Sequence, residues 1–533
     1  MNGLAGTGTL LRLALRRDRI MLPAWVYVLT AATLSTGYGL GRLYGTTTAR
    51  VQFAAAMNAN GSLRALYGTV YGAGLGGLTA WRMGAFGAAL AGLMSILLVV
   101  RHTRAEEEDG RLELVGAGAV GRRAPLTAAL LTALVADLLL AALVAAGLAV
   151  LGQPVGGAVA FGLALAAAGS VFAGVAAVAA QIAETGRAAN GAAGAVLGLA
   201  FVLRAAGDAA GPDSAVRQLR WLSPLGWSEQ VRPFAGDRWW AVALGLLVAG
   251  VLAAVAYTLV GRRDLGAGLL PQRPGPATAA PALRSQLALA LRLQGATLYG
   301  WCAGFAVAGA VFGSVVRGVA SLAGDNRQLA DILSRLGGRP AVVDAYLASI
   351  LGLLGMVAAV YAVQSVQRLR GEETGGRAEP VLATAVSRTG WAGGHLLFPL
   401  LGSALLLATG GLAAGLTAGA VLGDSAGRLG GLVGGALAQL PAVWLTAAAV
   451  LAVFGLRPGW TSAGWAVPAA FLVIGWLGPV LRLPRPVLDL SPFSHLPRLP
   501  GGAFELQPLF WLTSVAAVLT AIGLAALHRR DFG

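Results

Sequence analysis

Lysine is absent from this 533-residue chain, so all 39 of its Lys/Arg side chains are arginine. A phosphate-binding P-loop needs Gly-x-x-x-x-Gly-Lys-[Ser/Thr] to cradle nucleotide phosphates. A lysine-free chain has no standard one, so ATP hydrolysis within this polypeptide is not expected. Cysteine is nearly absent too. Cys302 stands alone in an apolar run, which excludes an intrachain disulfide and a cysteine metal cluster. Charged residues make up only 12% of the chain, where soluble domains carry about 25%. The four histidines, His102, His395, His495 and His528, are scattered without ligand spacing, so no metal role follows. Neither paired catalytic carboxylates nor a His/Glu metal motif occurs among the apolar runs, which argues against an intramembrane enzyme and against a cofactor held by this chain.

What the sequence does contain is apolar surface: 57% hydrophobic residues and a mean hydropathy of +0.72. A bilayer core of about 30 Å takes about 20 apolar residues per helix. Several runs supply that length without an interrupting charge, among them the one containing Leu138 to Gly152. An all-α polytopic membrane protein is the expectation. The net charge of +16 comes from arginines clustered at helix ends, not gathered on one soluble face with aromatics between them. That pattern suits anionic lipid headgroups and gives no footprint for nucleic acid. The apolar stretch near the N-terminus is followed by no small-residue cleavage pattern and is read as retained.

The chain also resembles itself. "LALRRDRIMLPAW" ending at Trp25 matches "LALRLQGATLYGW" ending at Trp301, and "GRLELVGAGAVGR" from Gly110 matches "GRAEPVLATAVSR" from Gly376. "LSPLGW" at Leu222 matches "LSPFSH" at Leu490, and "GRRDLG" at Gly261 matches "HRRDFG" at His528. Four matches in one order imply two fused copies. Each copy reads as a basic amphipathic helix followed by six spans. In the first, the spans fall at about 20–40, 80–100, 124–151, 156–181, 190–210 and 239–260. In the second they fall at about 296–316, 347–366, 392–421, 430–455, 463–481 and 507–527. Residues 1–265 form the first repeat, 266–282 a Pro/Gly-rich linker that cannot continue a helix, and 283–533 the second. An even number of spans per copy gives parallel topology. Twelve arginines of the first copy fall on one side of the spans against seven on the other, which places that side and both termini in the cytoplasm. The second copy is nearly balanced because Arg317, Arg327, Arg335 and Arg339 lie in its outer loop.

In the first amphipathic helix Arg12, Arg16 and Arg19 share one face and Leu11 and Leu15 another, as in a helix lying in the interface; Arg292 holds the matching place in the second copy. The loop after the second span is the most charged part of each copy. It carries Glu106, Glu107, Glu108, Asp109, Gly110, Arg111, Glu113 and Arg122 in the first copy, and Glu372, Glu373, Gly376, Arg377, Glu379 and Arg388 in the second. Acidic residues suit the first turn of a short helix. A charge run is most often a solvated loop, but recurrence of the glycine, arginine, glutamate and later Ala-Val-x-Arg favours a purpose. At these residues the chain resembles permeases of the type-two superfamily of ABC exporters, and in its double length the exporters of polyketide antibiotics. Ala119 and Ala385 depart from that family's pattern, standing where proline is common.

That resemblance implies a coupling loop seated on a separate ABC ATPase, present in two copies, that binds ATP and Mg, and export of a hydrophobic or amphipathic compound across the cell membrane. Inside the spans, Asp137, Arg204 and Gln439 are candidates for the translocation path; the alternative is that they lock helices together, and Gln439 with Pro441 also marks a kink. Ser403 stands in the second copy where Asp137 stands in the first. Trp221, Trp227, Trp239 and Trp240 beside the fifth and sixth spans form an aromatic belt. The competing reading is a proton-coupled secondary drug transporter. Such transporters commonly carry a Gly-x-x-x-Asp-Arg-x-Gly-Arg-Arg-like loop after the second span, whereas this loop is acidic first.

Overall fold

The computed structural model describes residues 3–210, 214–264, 266–270, 277–278, 280–281, 283, 285–316, 338–472, 474–475 and 484–530. Helix is the only regular secondary structure among them, as expected where a lipid solvent forces every backbone group to be satisfied within its own segment. Among the described residues ten helices are long and apolar enough to cross a membrane, or eleven with a bent pair near the N-terminus. The chain divides into two compact units, Met1–Gly275 and Pro276–Gly533.

The first unit begins with α1 (Thr7–Arg17) and α2 (Met21–Leu43), which meet at a 65° bend. Short helices α3 (Thr47–Ala59) and α4 (Gly61–Tyr67) lead to α5 (Leu75–Arg101). Two short helices, α6 (Arg104–Glu108) and α7 (Arg111–Gly116), fill the charged loop. Then come α8 (Ala124–Val150), α9 (Val155–Ile182), α10 (Gly186–Ala209), the short α11 (Pro224–Gln230) and α12 (Trp239–Val260). The centre of the unit is α9, packed against α5, α8 and α12. Its most apolar stretch is 78% buried, against 17% for α12. Close packing at the centre rests on small residues: a Cβ on Gly162 would stand 2.4 Å from the Ala141 carbonyl oxygen of α8.

The second unit holds α13 (Gln286–Ser314), α14 (Gly338–Thr374), α15 (Ala378–Leu382) and α16 (Arg388–Leu397). A π-helical turn at Phe398–Gly402 joins α16 to α17 (Ser403–Leu422). Pro399 inside that turn has no N–H to give the regular ladder. Next come α18 (Ser425–Leu437) and α19 (Leu440–Leu456), which break at Ala438 and Gln439 with Pro441 in the first turn of α19. The expected kink is therefore an interruption between two helices. After a 3₁₀ stretch at Pro458–Trp465 come α20 (Ala466–Leu472) and α21 (Arg485–Leu488), and α22 (Leu506–Arg529) is last. Here α13 packs on α17, α14 on α19, and α19 on α22.

Two expectations change. The second unit has no bent entry pair: Arg292 lies within the unbroken α13, which starts ten residues ahead of the expected span at 296. The cause is local. In the first unit Asp18 is fully buried against Arg101 (3.3 Å) and His102 (2.5 Å), which turns the chain after α1. The second unit has Gln294 in the matching place, hydrogen-bonded to His395 Nδ1 at 3.1 Å along a continuous helix. The expected span at 463–481 is represented by short helical pieces, and residues 473 and 476–483 lie outside the described residues. So do Arg317, Arg327 and Arg335, and residues 271–276 of the linker.

Candidate functional site: two clamped loops

In the first unit the loop between α5 and α8 reverses at Gly110, whose φ of 70° lies in the left-handed region that glycine enters without strain. Gly376 in the second unit has φ 66°. The recurring glycine is thus a backbone requirement, and the acidic run splits there into α6 and α7 instead of forming one helix.

Three glutamates of the first loop have partners elsewhere in the unit, while Asp109 is exposed and pairs with the exposed Arg111. Glu107 is clasped by Arg104 (2.7 Å) and by Arg263, whose Nη1 donates to Oε2 at 2.8 Å and whose Nη2 reaches Oε1 at 2.5 Å. Arg263 lies just past α12. Its Nε donates to Gln181 Oε1 at the end of α9 (2.7 Å), and its carbonyl accepts a hydrogen bond from Arg122 at the far end of the loop. Glu106 pairs with Arg17 of α1 and with Arg111 (3.2 Å). Glu108 accepts the Gly186 N–H at the start of α10 (2.9 Å).

The second unit repeats the arrangement. Glu373 pairs with Arg370 (3.3 Å) and with Arg530, just past α22. Arg530 Nη1 donates to the Phe454 carbonyl near the end of α19 (2.8 Å), and Arg388 Nη1 donates to the Arg530 carbonyl (2.6 Å). Glu372 is held by Arg368 (2.8 Å) and Arg377 (2.9 Å). Glu107, Arg104 and Arg122 lie 266 positions before Glu373, Arg370 and Arg388, and Arg263 lies 267 before Arg530. Arg263 and Arg530 were visible in the sequence as part of a repeated "RRD" but not as loop partners, because 156 and 157 residues separate them from their glutamates.

What each loop leaves exposed is its second helix. Glu113 on α7 and Glu379 on α15 are exposed, as is Pro380, and Leu114 is 80% exposed. Arg12 and Arg16 are likewise exposed on α1, whose Ala14 is buried, whereas Arg19, expected on the same helical face, is exposed in the turn that follows because the helix ends at Arg17. The first unit adds one element to its clamp: Arg104 Nη2 donates to the Ala267 carbonyl (3.0 Å), and Leu269 N–H donates to the Gln181 carbonyl (3.1 Å). The start of the expected linker is therefore strapped to α9.

The interior candidates do not meet one another. Asp137 on α8 is fully buried and accepts hydrogen bonds from Ser95 of α5 (2.9 Å) and Ser170 of α9 (3.4 Å). Ser403 in the second unit instead donates to the Pro399 carbonyl of its own helix (2.6 Å). Arg204 lies toward the opposite end of α10 from the charged loop, bound to Glu229 (3.0 Å), Asp208 (3.5 Å) and the Ala65 carbonyl (2.8 Å). It ties α10 to α4 and α11. Beside it Tyr67, Tyr71, Trp81, Phe161, Glu229 and Arg232 wall a small cleft. Trp221 stacks on Trp240 at 5.7 Å on this side, where the belt was expected. Gln439 is buried at the helix break, its side chain against Gly355 of α14.

Two units with the same clamped loop and long apolar helices describe a multi-pass membrane protein. The family described as "Multidrug efflux system permease Rv1217c, C-terminal domain" matches residues 8–260 and 283–528. The multidrug efflux system permease protein Rv1217c of Mycobacterium tuberculosis is 47% identical over 532 residues, covering 99% of this chain and 96% of that relative. Matched over nearly its whole length both ways, this chain belongs to the Rv1217c family of multidrug efflux system permeases.

Proposed function

We propose that this chain is the membrane subunit of an ATP-driven ABC exporter, that two copies of a separate ATPase seat on α7 and α15, and that hydrophobic or amphipathic drug-like compounds leave the cell through it. In this reading twelve spans form two parallel six-helix repeats in the cell membrane with both termini in the cytoplasm, and ATP and Mg reside on the ATPase. The observation that carries it is the division of labour within each loop. Glu107 and Glu373 ahead of the glycine are committed to enclosed arginines, while Glu113, Leu114, Glu379 and Pro380 are presented outward on the short helices that follow it. An 80%-exposed leucine beside an exposed carboxylate on a rigid projection suits a protein partner. The relative's designation as part of an efflux system also supports a multi-component machine.

The test is co-purification of the cognate ATPase with Glu113→Arg, Glu379→Arg and the double variant, alongside dye efflux. Reversing a charge in a desolvated contact costs roughly 2–5 kcal/mol, so each single variant should strongly reduce ATPase recovery. The greater acidity of the first loop gives no reason for unequal effects, since Glu106, Glu107 and Glu108 already have internal partners. Normal recovery and efflux in the double variant would overturn the docking assignment. A second reading, proton-coupled transport, is favoured by one observation: Asp137 is buried with only hydroxyl partners among the described residues.

A further inference from the structure

The two clamps share a design that goes beyond holding a loop in place. Arg263 and Arg530 lie within three residues of the end of the last long helix of their unit, and each joins three other points: the loop glutamate, the end of the fourth-span helix, and the arginine that closes the loop. Among the described spans those last helices are lightly enclosed, α22 to the same degree as α13. The most apolar stretch of α12 is 17% buried and that of α22 is 11% buried, and each packs mainly on one neighbour, α9 or α19. A helix tied chiefly to a single neighbour can shift together with whatever grips its end. The grip is enclosed in both units, with side-chain exposures of 8% for Arg263 and 7% for Glu107, and 15% for Arg530 and 6% for Glu373. Water therefore competes weakly for either partner. A two-point guanidinium contact such as Arg263 makes with Glu107 fixes orientation as well as distance, which a single-point ammonium would not.

We propose that Arg263 and Arg530 are positioning residues that transmit displacement of each charged loop to the final helix of the same unit, α12 and α22. The inference rests on the reading of the loops as ATPase seats. Arg122 and Arg388 make the transmission two-ended. Each donates to the backbone carbonyl of the clamp arginine, so the beginning and the end of the loop both pull on one residue. The exposed docking helices Arg111–Gly116 and Ala378–Leu382 lie between those two anchor points. A push on either docking helix is then delivered to a lightly packed span and need not be absorbed by the loop.

The experiment uses the full chain co-expressed with its ATPase, with Arg263→Gln, Arg530→Gln and the conservative Arg263→Lys. In proteoliposomes, ATP hydrolysis and ethidium efflux are read together. Hydrogen exchange at residues 256–263 is measured with and without a non-hydrolysable ATP analogue. Arg263→Gln should keep ATPase recovery and keep hydrolysis within about twofold, while efflux per ATP falls tenfold or more. The nucleotide-dependent exchange change at 256–263 should vanish. Arg263→Lys should retain at least a third of the efflux, and Arg530→Gln should lower efflux per ATP as Arg263→Gln does while leaving the exchange change at 256–263 in place. Wild-type efflux per ATP together with a wild-type exchange change in Arg263→Gln would overturn the proposal. So would loss of ATPase recovery in step with efflux, since the arginine would then shape the seat and not carry its motion. Were no ATPase to bind the wild-type chain, the function reading would fail separately. The tie itself would then be judged on the chain alone, where Arg263→Gln must speed exchange at both 104–113 and 256–263. Acceleration at only one of those segments would refute it.

Discussion

At the scale of single residues, charge buried among the helices has been given partners of different strength. Arg204 has two carboxylates and a carbonyl, whereas Asp137 has two hydroxyls. Hydrogen bonds between helices in membranes average about 0.6 kcal/mol and reach about 1.7. Asp137→Asn keeps an acceptor for one serine and offers its NH2 to the hydroxyl oxygen of the other, so it should lower the thermal midpoint in detergent by no more than a few degrees and leave efflux largely intact. Abolition of proton-driven uptake in ATPase-free vesicles by the same substitution would instead give Asp137 the central role and favour the secondary-transport reading. The sequence marked Asp137 and Arg204 as costly residues but could not say that they belong to separate clusters, because the partners Ser95 and Glu229 are ordinary polar residues in no recognisable pattern. The recurring Gly110 and Gly376 were legible as a motif, and their left-handed backbone supplies the reason.

At the scale of helices, small residues decide which elements approach and which stay apart. Gly162→Ala would drive a methyl into the α8 backbone, 2.4 Å from the Ala141 carbonyl oxygen. Overpacking of this kind costs about 1–3 kcal/mol, so a clear fall in the detergent unfolding midpoint is expected. Gly198 on α10 faces open space, and Gly198→Ala should be neutral or stabilise by about 0.5–1 kcal/mol, since glycine is the poorer helix former. Equal midpoints for the two variants would show that α9 is not the tightly packed centre described here. Long apolar runs made most spans readable to within a few residues. The second entry helix was misread because "LALR" recurs while the determinant of the bend, Asp18 buried against Arg101 and His102, does not. Helices α3 and α4 went unseen because a polar connecting segment carries no long apolar period.

At the scale of the whole molecule, the chain by itself should hydrolyse no ATP, as a lysine-free sequence offers no P-loop. Robust hydrolysis by a preparation clear of any ATPase would defeat the two-component reading. The internal repeat was legible because four short motifs kept their order, yet its mechanical meaning needed the fold, which brings residues 156 and 157 positions apart into contact. That contact has a consequence for how such a gene can be cut and joined. Every residue of the first clamp, its strap included, lies at or before position 270, and every residue of the second lies between 368 and 530. Dividing the gene between residues 271 and 284 would leave each half with a complete clamp, whereas a cut between Val260 and Arg263 would leave the first loop without its counterpart.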